Sequence, residues 1–193
     1  MTRIGNRRLA LAVVAGLVVM GLVTACARAS GAVGTFGTPA TYRVAAGAEQ
    51  SPDFTGVDVV TGKTISLADF KGSVVLLNFV NYGCSQEINN VVSAQLLAIK
   101  KLRQQRTDFL PLSVFCGCCP PEVLRQFASE NGLSWPWILD ADNSIITKYI
   151  TYLQQYGYPT LVFVDKEQYI RAVTGYSDGG SLSAELDRII NGG

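Results

Sequence analysis

Histidine is absent from all 193 residues. No imidazole is available as a base, so Cys-His hydrolases are excluded, and so is a c-type haem attachment site. A Gly-rich phosphate loop, a dinucleotide fingerprint, a paired-carboxylate motif and an internal repeat are all missing as well. Charged residues make up only 16% of the chain, with no basic excess that would attract nucleic acid. The longest apolar run, residues 9–23, falls short of the ~20 residues that span a bilayer.

What that run does fit is an export signal, because Arg3, Arg7 and Arg8 precede it as a charged n-region. It ends in Val23-Thr24-Ala25-Cys26, which resembles the bacterial lipobox. That resemblance implies lipidation of Cys26 and a chain held on the extracytoplasmic face of the cell membrane. Residues 1–25 then form the signal peptide. Residues 26–50, rich in Ala, Gly, Thr and Ser, bury too little apolar surface to offset the entropy of ordering and read as a flexible tether. Residues 51–193 are long enough for one domain with a single core. Loss of residues 1–25 leaves 13 basic against 15 acidic residues.

Outside the cytoplasm disulfides persist. Apart from Cys26 the cysteines are Cys84, Cys116, Cys118 and Cys119, and four cysteines allow three complete pairings that spacing does not choose between. Cys84 is placed where an apolar run ends and an amphipathic one begins. A helix N-terminus there, with its unpaired N–H groups and partial positive charge, favours the thiolate, which is the nucleophile.

Residues 53–67 predict a short hairpin turning at Thr61-Gly62-Lys63. The continuous apolar run 73–80 predicts a strand covered on both faces. Ile88, Val91, Val92, Leu96, Ile99 and Leu102 recur at helical spacing, and Lys100, Lys101, Arg103 and Arg106 crowd that helix's end, where cations suit the dipole. A strand at 109–115 follows, then a helix opened by Pro120-Pro121 and closed by Gly132. Beyond it the pattern predicts one helix over 144–156, strands at 161–164 and 169–174, and a terminal helix over 182–190. This alternation argues an α/β domain with right-handed crossovers.

The run Leu77-Asn78-Phe79 leading to Cys84 resembles the active-site strand of the thioredoxin superfamily. Gly157-Tyr158-Pro159-Thr160 resembles its cis-proline loop, and the hairpin ending in Ser66-Leu67-Ala68-Asp69-Phe70-Lys71-Gly72 resembles the N-terminal extension of the membrane-anchored TlpA/ResA-like and AhpC/TSA redoxin branches. The resemblance implies a thioredoxin-like fold, a central mixed sheet flanked by helices with an N-terminal β-hairpin extension. It implies thiol–disulfide exchange without a cofactor, with exported protein thiols or disulfides, or a redox partner protein, as the other reactant. Glu87 stands where the family's second cysteine would be; a carboxylate there either suits the helix dipole and nothing more, or relays a proton. Pro159, if cis, leaves the backbone of Tyr158 facing the thiol, ready to pair with an extended substrate segment. Tyr82, Tyr158 and Thr160 are the implied substrate contacts.

In such a sheet the strand before Cys116-Gly117-Cys118-Cys119 runs parallel beside the Cys84 strand, so both turns share one rim. One cluster cysteine, Cys116 or Cys118 foremost, is then expected to resolve a species formed on Cys84. Three other readings stay open. Cys84, Cys116, Cys118 and Cys119 as thiolates suit Cu(I) or Zn²⁺. Cys84-Ser85-Gln86-Glu87 resembles the C-T-x-E of some peroxiredoxins and would bring antioxidant peroxidase activity, although Leu77 and Asn81 stand where those enzymes have Pro and Thr or Ser. The last is a redox-inactive fold used as a binding module. Trp135-Pro136-Trp137 reads as packing in preference to a substrate rim.

Overall fold

The computed structural model describes residues 41–83, 85–116 and 119–192. The expected signal peptide, Cys26 and residues 26–40 of the expected tether lie outside the described residues, as do Cys84 and Cys118. Among the described residues no helix is long and apolar enough to cross a membrane.

A six-stranded mixed sheet organises the chain. In sequence its strands are β1 (Tyr42–Arg43), β4 (Val74–Val80), β5 (Phe109–Cys116), β6 (Trp137–Asp140), β7 (Thr160–Val164) and β8 (Ile170–Thr174), and the spatial order is β1-β8-β7-β4-β5-β6. β4, β5 and β6 are mutually parallel, whereas β7, β8 and β1 pair antiparallel. The hairpin β2 (Thr55–Val57) and β3 (Thr64–Ser66) forms a separate two-stranded sheet. Helices α1 (Gln86–Gln105), α2 (Pro121–Glu130), α3 (Ser144–Lys148), α4 (Ile150–Tyr156) and α5 (Gly179–Ile190) complete the domain. This is a thioredoxin-like α/β fold.

β4 is buried at every position, and its side chains alternate between two cores. Val74, Leu76 and Val80 join Val92, Leu96 and Ile99 of α1 and Leu182, Leu186 and Ile189 of α5. Val75, Leu77 and Phe79 join Ile145, Ile146, Tyr149 and Leu153 from α3 and α4 on the other side. Each such aliphatic side chain contributes about 1.5–3 kcal/mol by leaving water. Pro111 is tolerated inside β5 because of where β6 starts. Ser113 sends its N–H to Pro136 on the β6 side, so the missing N–H of Pro111, two residues earlier, faces the same way, below the first β6 pair at Ser113–Trp137.

The hairpin covers the β6 edge. Asp58 bridges to Ile138, and its carboxylate accepts from the N–H groups of Val60, Thr61 and Trp137. Gly56 lies so close that a Cβ there would come within 2.5 Å of an Ile138 methyl.

Three expectations shift. The tether was expected to reach residue 50, yet Tyr42–Arg43 pair with β8, Val44 is buried and Gln50 bridges to Tyr169; the sheet edge supplies the partners that this polar segment lacks by itself. The helix expected over 144–156 breaks at Tyr149, whose buried hydroxyl pairs with Ser51 and the Pro52 carbonyl. The segment Trp137–Asp140, absent from the expected elements, is a strand because β5 and the hairpin lie on either side of it.

Candidate active site

The C-terminal ends of β4 and β5, the start of β7 and the end of β8 share one rim, since Phe79 pairs with Thr160, Val80 with Phe115, and Leu161 with Thr174. The loops after β4 and β5, the loop before β7 and the loop after β8 all gather there. α1, α2 and α5 begin at the same rim.

The first of these loops runs straight into α1. Ser85 is the N-cap and its hydroxyl accepts from the Ile88 N–H at 3.3 Å. Gly83, at φ +95°, takes a turn that side chains resist, and its N–H donates to Asn89 Oδ1 at 2.7 Å. Gly83 and Ser85 are thereby each tied to the first turns of α1; Cys84 lies outside the described residues. Loops 81–85, 117–120, 157–159 and 175–178 carry no lysine or arginine.

Cys119 meets this loop. A methyl group on Gly83 would sit 3.5 Å from the Cys119 Cβ and 3.6 Å from its Sγ. Cys119 is 3% exposed, packs in the α1-side core, and its Sγ lies 3.7 Å from the Pro120 carbonyl oxygen. Tyr82 shields the same place, its ring 5.0 Å from that of Phe127. Burial pushes the Tyr82 phenol pKa up; a hydrogen bond with Ser93 opposes this, and Cys119 and Glu130 add to the upward shift. Asn89, Ser93 and Phe127 were not singled out from the sequence, where each reads as ordinary helix surface.

Cys116 is also buried, but it packs in the opposite core with Ile138, Ile145 and Ile146. Glu87 is exposed in the first turn of α1. The Tyr158–Pro159 peptide is cis, Tyr158 packs against the core that β4 shares with α3 and α4, and buried Thr160 donates its hydroxyl to the Gly157 carbonyl at 2.6 Å. Gly175 backs this loop, since a Cβ there would meet the Tyr156 and Pro159 carbonyl oxygens at 3.8 and 3.9 Å. The loop after β8 is tied to α1 where the buried Gln95 Oε1 accepts from the Ser177 N–H. Trp135 and Trp137 are buried packing. Among the described residues no group of three or more His, Cys, Asp or Glu is arranged to hold a metal ion, and two of the four candidate thiolates lie outside them.

The AhpC/TSA family matches residues 48–173, from the strap before the hairpin to β8. The chain belongs to this family. The AhpC/TSA domain is similar to solved bacterial structures over most of its length. The thioredoxin domain of a thiol-disulfide oxidoreductase from Bacteroides vulgatus is 24% identical with a TM-score of 0.61, covering 77% of this chain and all of that one. A DsbF homologue from Corynebacterium diphtheriae is 17% identical, TM-score 0.65, covering 79% and 95%. A secreted thiol-disulfide isomerase from Corynebacterium glutamicum is 20% identical, TM-score 0.63, covering 78% and 92%. These likenesses show the fold. No curated protein is significantly similar to the chain in sequence.

Proposed function

We propose that this AhpC/TSA domain carries out thiol–disulfide exchange outside the cytoplasm, as a TlpA/ResA-like member whose second sulfur comes from the 116–119 segment in place of the position held by Glu87. The observation that carries the reading is that a Cβ on Gly83 would stand 3.5 Å from the Cys119 Cβ, which brings Cys119 of the cysteine-rich segment near the residue that precedes Cys84 in the chain. Cys84 attacks a substrate disulfide, displacing one thiolate and forming a mixed disulfide. A second cysteine of the chain then displaces the other. The reactants are exported protein thiols and disulfides, or a redox partner protein. The Tyr82, Tyr158 and Thr160 neighbourhood borders the substrate. The signal-like residues 1–25 and Cys26 support tethering to the membrane by a lipid on its extracytoplasmic face, and the similar Corynebacterium glutamicum protein is described as secreted.

The test is exchange with a protein disulfide by the full chain, followed by thiol titration. Activity lost in Cys84→Ser supports the reading. Rapid peroxide consumption with no exchange, or a stoichiometric metal in anaerobically purified protein with no exchange, overturns it. Cys26→Ser should move the chain from the membrane fraction to the soluble one; an unchanged distribution overturns the tether.

A further inference from the structure

We propose that the outer edge of β1 is a docking site for an extended segment of a partner protein, paired antiparallel, with an acidic side chain set against Arg43 and apolar side chains before and after it. The site lies apart from the cysteines and stands whether or not the domain exchanges disulfides.

The edge is open where one residue faces out. β1 ends the sheet, and among the described residues nothing pairs with its far side. Val44 sends its N–H toward β8, to the Arg171 carbonyl at 3.0 Å. Successive residues of a strand direct their main-chain groups to opposite sides, so the N–H and carbonyl of Arg43 face away from the sheet. Unmet groups of this kind are a template for a further strand. Antiparallel addition suits a single outward residue, because one partner residue then exchanges both bonds with it, and parallel pairing is weaker per residue.

The side chains set the chemistry of the partner. Arg43 pairs with Ala172, which packs in the α1-side core, so Arg43 points to the same face, where it meets α5. There its Nε and Nη2 donate to Glu185 Oε2 at 3.1 and 3.0 Å, and Nε and Nη2 of Arg188 donate to Glu185 Oε1 at 2.8 and 2.6 Å. Both oxygens of this buried carboxylate are engaged, and two guanidinium groups on one carboxylate leave one positive charge in excess. A cavity of about 270 Å³ opens beside them, walled by Thr41, Arg43, Ser177, Ser181, Glu185 and Arg188. It is smaller than the roughly 300–1,000 Å³ of pockets that enclose a drug-sized ligand, and suits one side chain. Ser177 is buried, with its N–H taken by Gln95 Oε1. On the same face of β8 as Ala172, the buried Thr174 Oγ1 has no hydrogen-bond partner among the described residues. Asp178, next to Ser177, turns its carboxylate to the Ser181 N–H. An acceptor group with negative charge therefore fits here, and Arg43, whose side chain is 59% exposed, is the accessible donor.

A partner residue directly opposite Arg43 puts its side chain on the face of the cavity, and its two neighbours put theirs on the other face. On that other face Tyr42 is 48% exposed, and Tyr156 lies against the Tyr42 backbone. The docking segment thus reads apolar, acidic, apolar. Residues 1–48 contain no Asp or Glu, so the stretch that precedes β1 does not supply the carboxylate, and the occupant is another chain. β8 and β7 separate β1 from β4, a span of about 14 Å at the usual strand spacing. A partner held at this edge can present a second part of itself to the rim.

The test is a titration of the isotope-labelled full chain with the peptide Thr-Thr-Leu-Glu-Leu-Thr-Thr, followed by NMR at the amides of Arg43 and Ser177. Binding that shifts both is expected, weakened about tenfold when glutamine replaces the glutamate, since a hydrogen bond to a charged group is lost. N-methylation of the glutamate amide, which removes its bond to the Arg43 carbonyl, should weaken binding about fivefold. These comparisons leave the protein unmutated. In Arg43→Gln the glutamate and glutamine peptides should bind alike. The inference is overturned by no shift at Arg43, by equal binding of the glutamate and glutamine peptides to the unmutated chain, by an N-methylated peptide that binds undiminished, or by a glutamate preference kept in Arg43→Gln. N-acetylglutamate binding as tightly as the peptide also overturns it, because the cavity is then a site for small anions only.

Discussion

Replacing Asn78 with leucine should stabilise the domain. Asn78 is the one polar side chain in β4 and is fully buried, and neither its amide nitrogen nor its amide oxygen has a hydrogen-bond partner among the described residues. Its neighbours two positions away, Leu76 and Val80, face the α1-side core, so the amide points into that apolar layer. A buried polar group without a partner costs about 1–3 kcal/mol, and this amide presents two. Leucine has the same branching of heavy atoms and needs no partner. Its extra bulk costs about 1–3 kcal/mol in a packed core, which at the midpoints of these ranges leaves a net gain of about 2 kcal/mol. For a domain of this size that raises the Tm by about 2–4 °C per kcal/mol. Urea unfolding of the full chain measures the change as a higher midpoint at unchanged slope. A loss of about 1 kcal/mol or more refutes the reasoning, because it means the amide is satisfied, by ordered water for instance, and contributes to stability.

Three further outcomes are expected. Asp58→Ala should cost about 2–4 kcal/mol in urea unfolding, because it strands the buried Trp137 N–H and releases the hairpin turn; a change under 1 kcal/mol contradicts the role given to Asp58. Glu87, Glu122 and Asp178 lie in or beside the first turns of the helices that start at the rim, where the loops hold no cation, so peptide disulfides flanked by lysine should react faster than those flanked by glutamate, with the difference shrinking as salt rises. Equal rates at low salt refute that. Hydrogen bonds from Arg106 hold the Asp108 carboxyl below the ordinary aspartate range, against a smaller opposing effect of burial. The unfolded chain then binds the proton more readily, so this contribution is complete above about pH 4 and is lost as pH falls through the lower folded value. Asp108 is 46% exposed, so the effect is under about 1 kcal/mol, and Asp108→Asn should flatten the acid limb of stability against pH by that amount.

Much of the sheet was legible because its signals are local. The run 74–80 had to be a doubly covered strand, and the three- and four-residue spacing from Ile88 to Leu102 had to be a helix with one buried face. The glycine and proline punctuation located the hairpin and α2. β1 and β6 were not legible, since two and four residues carry no period of their own and their strand character comes from β8, β5 and the hairpin. Tyr149 likewise broke a helix that its own segment favours, through hydrogen bonds to residues nearly a hundred positions away.

The candidate site divides in the same way. Sequence alone determined that a cysteine stands at a strand–helix junction, that Glu87 occupies the position three residues on, and that no histidine can assist. Only the tertiary structure decided that Cys116 and Cys119, three residues apart, belong to opposite cores, and that Cys119 lies against Gly83. That difference depends on how the chain turns at the end of β5 and on what α1, α2 and the loop after β4 pack against. Those are contacts between segments far apart in sequence, which no spacing within one segment encodes.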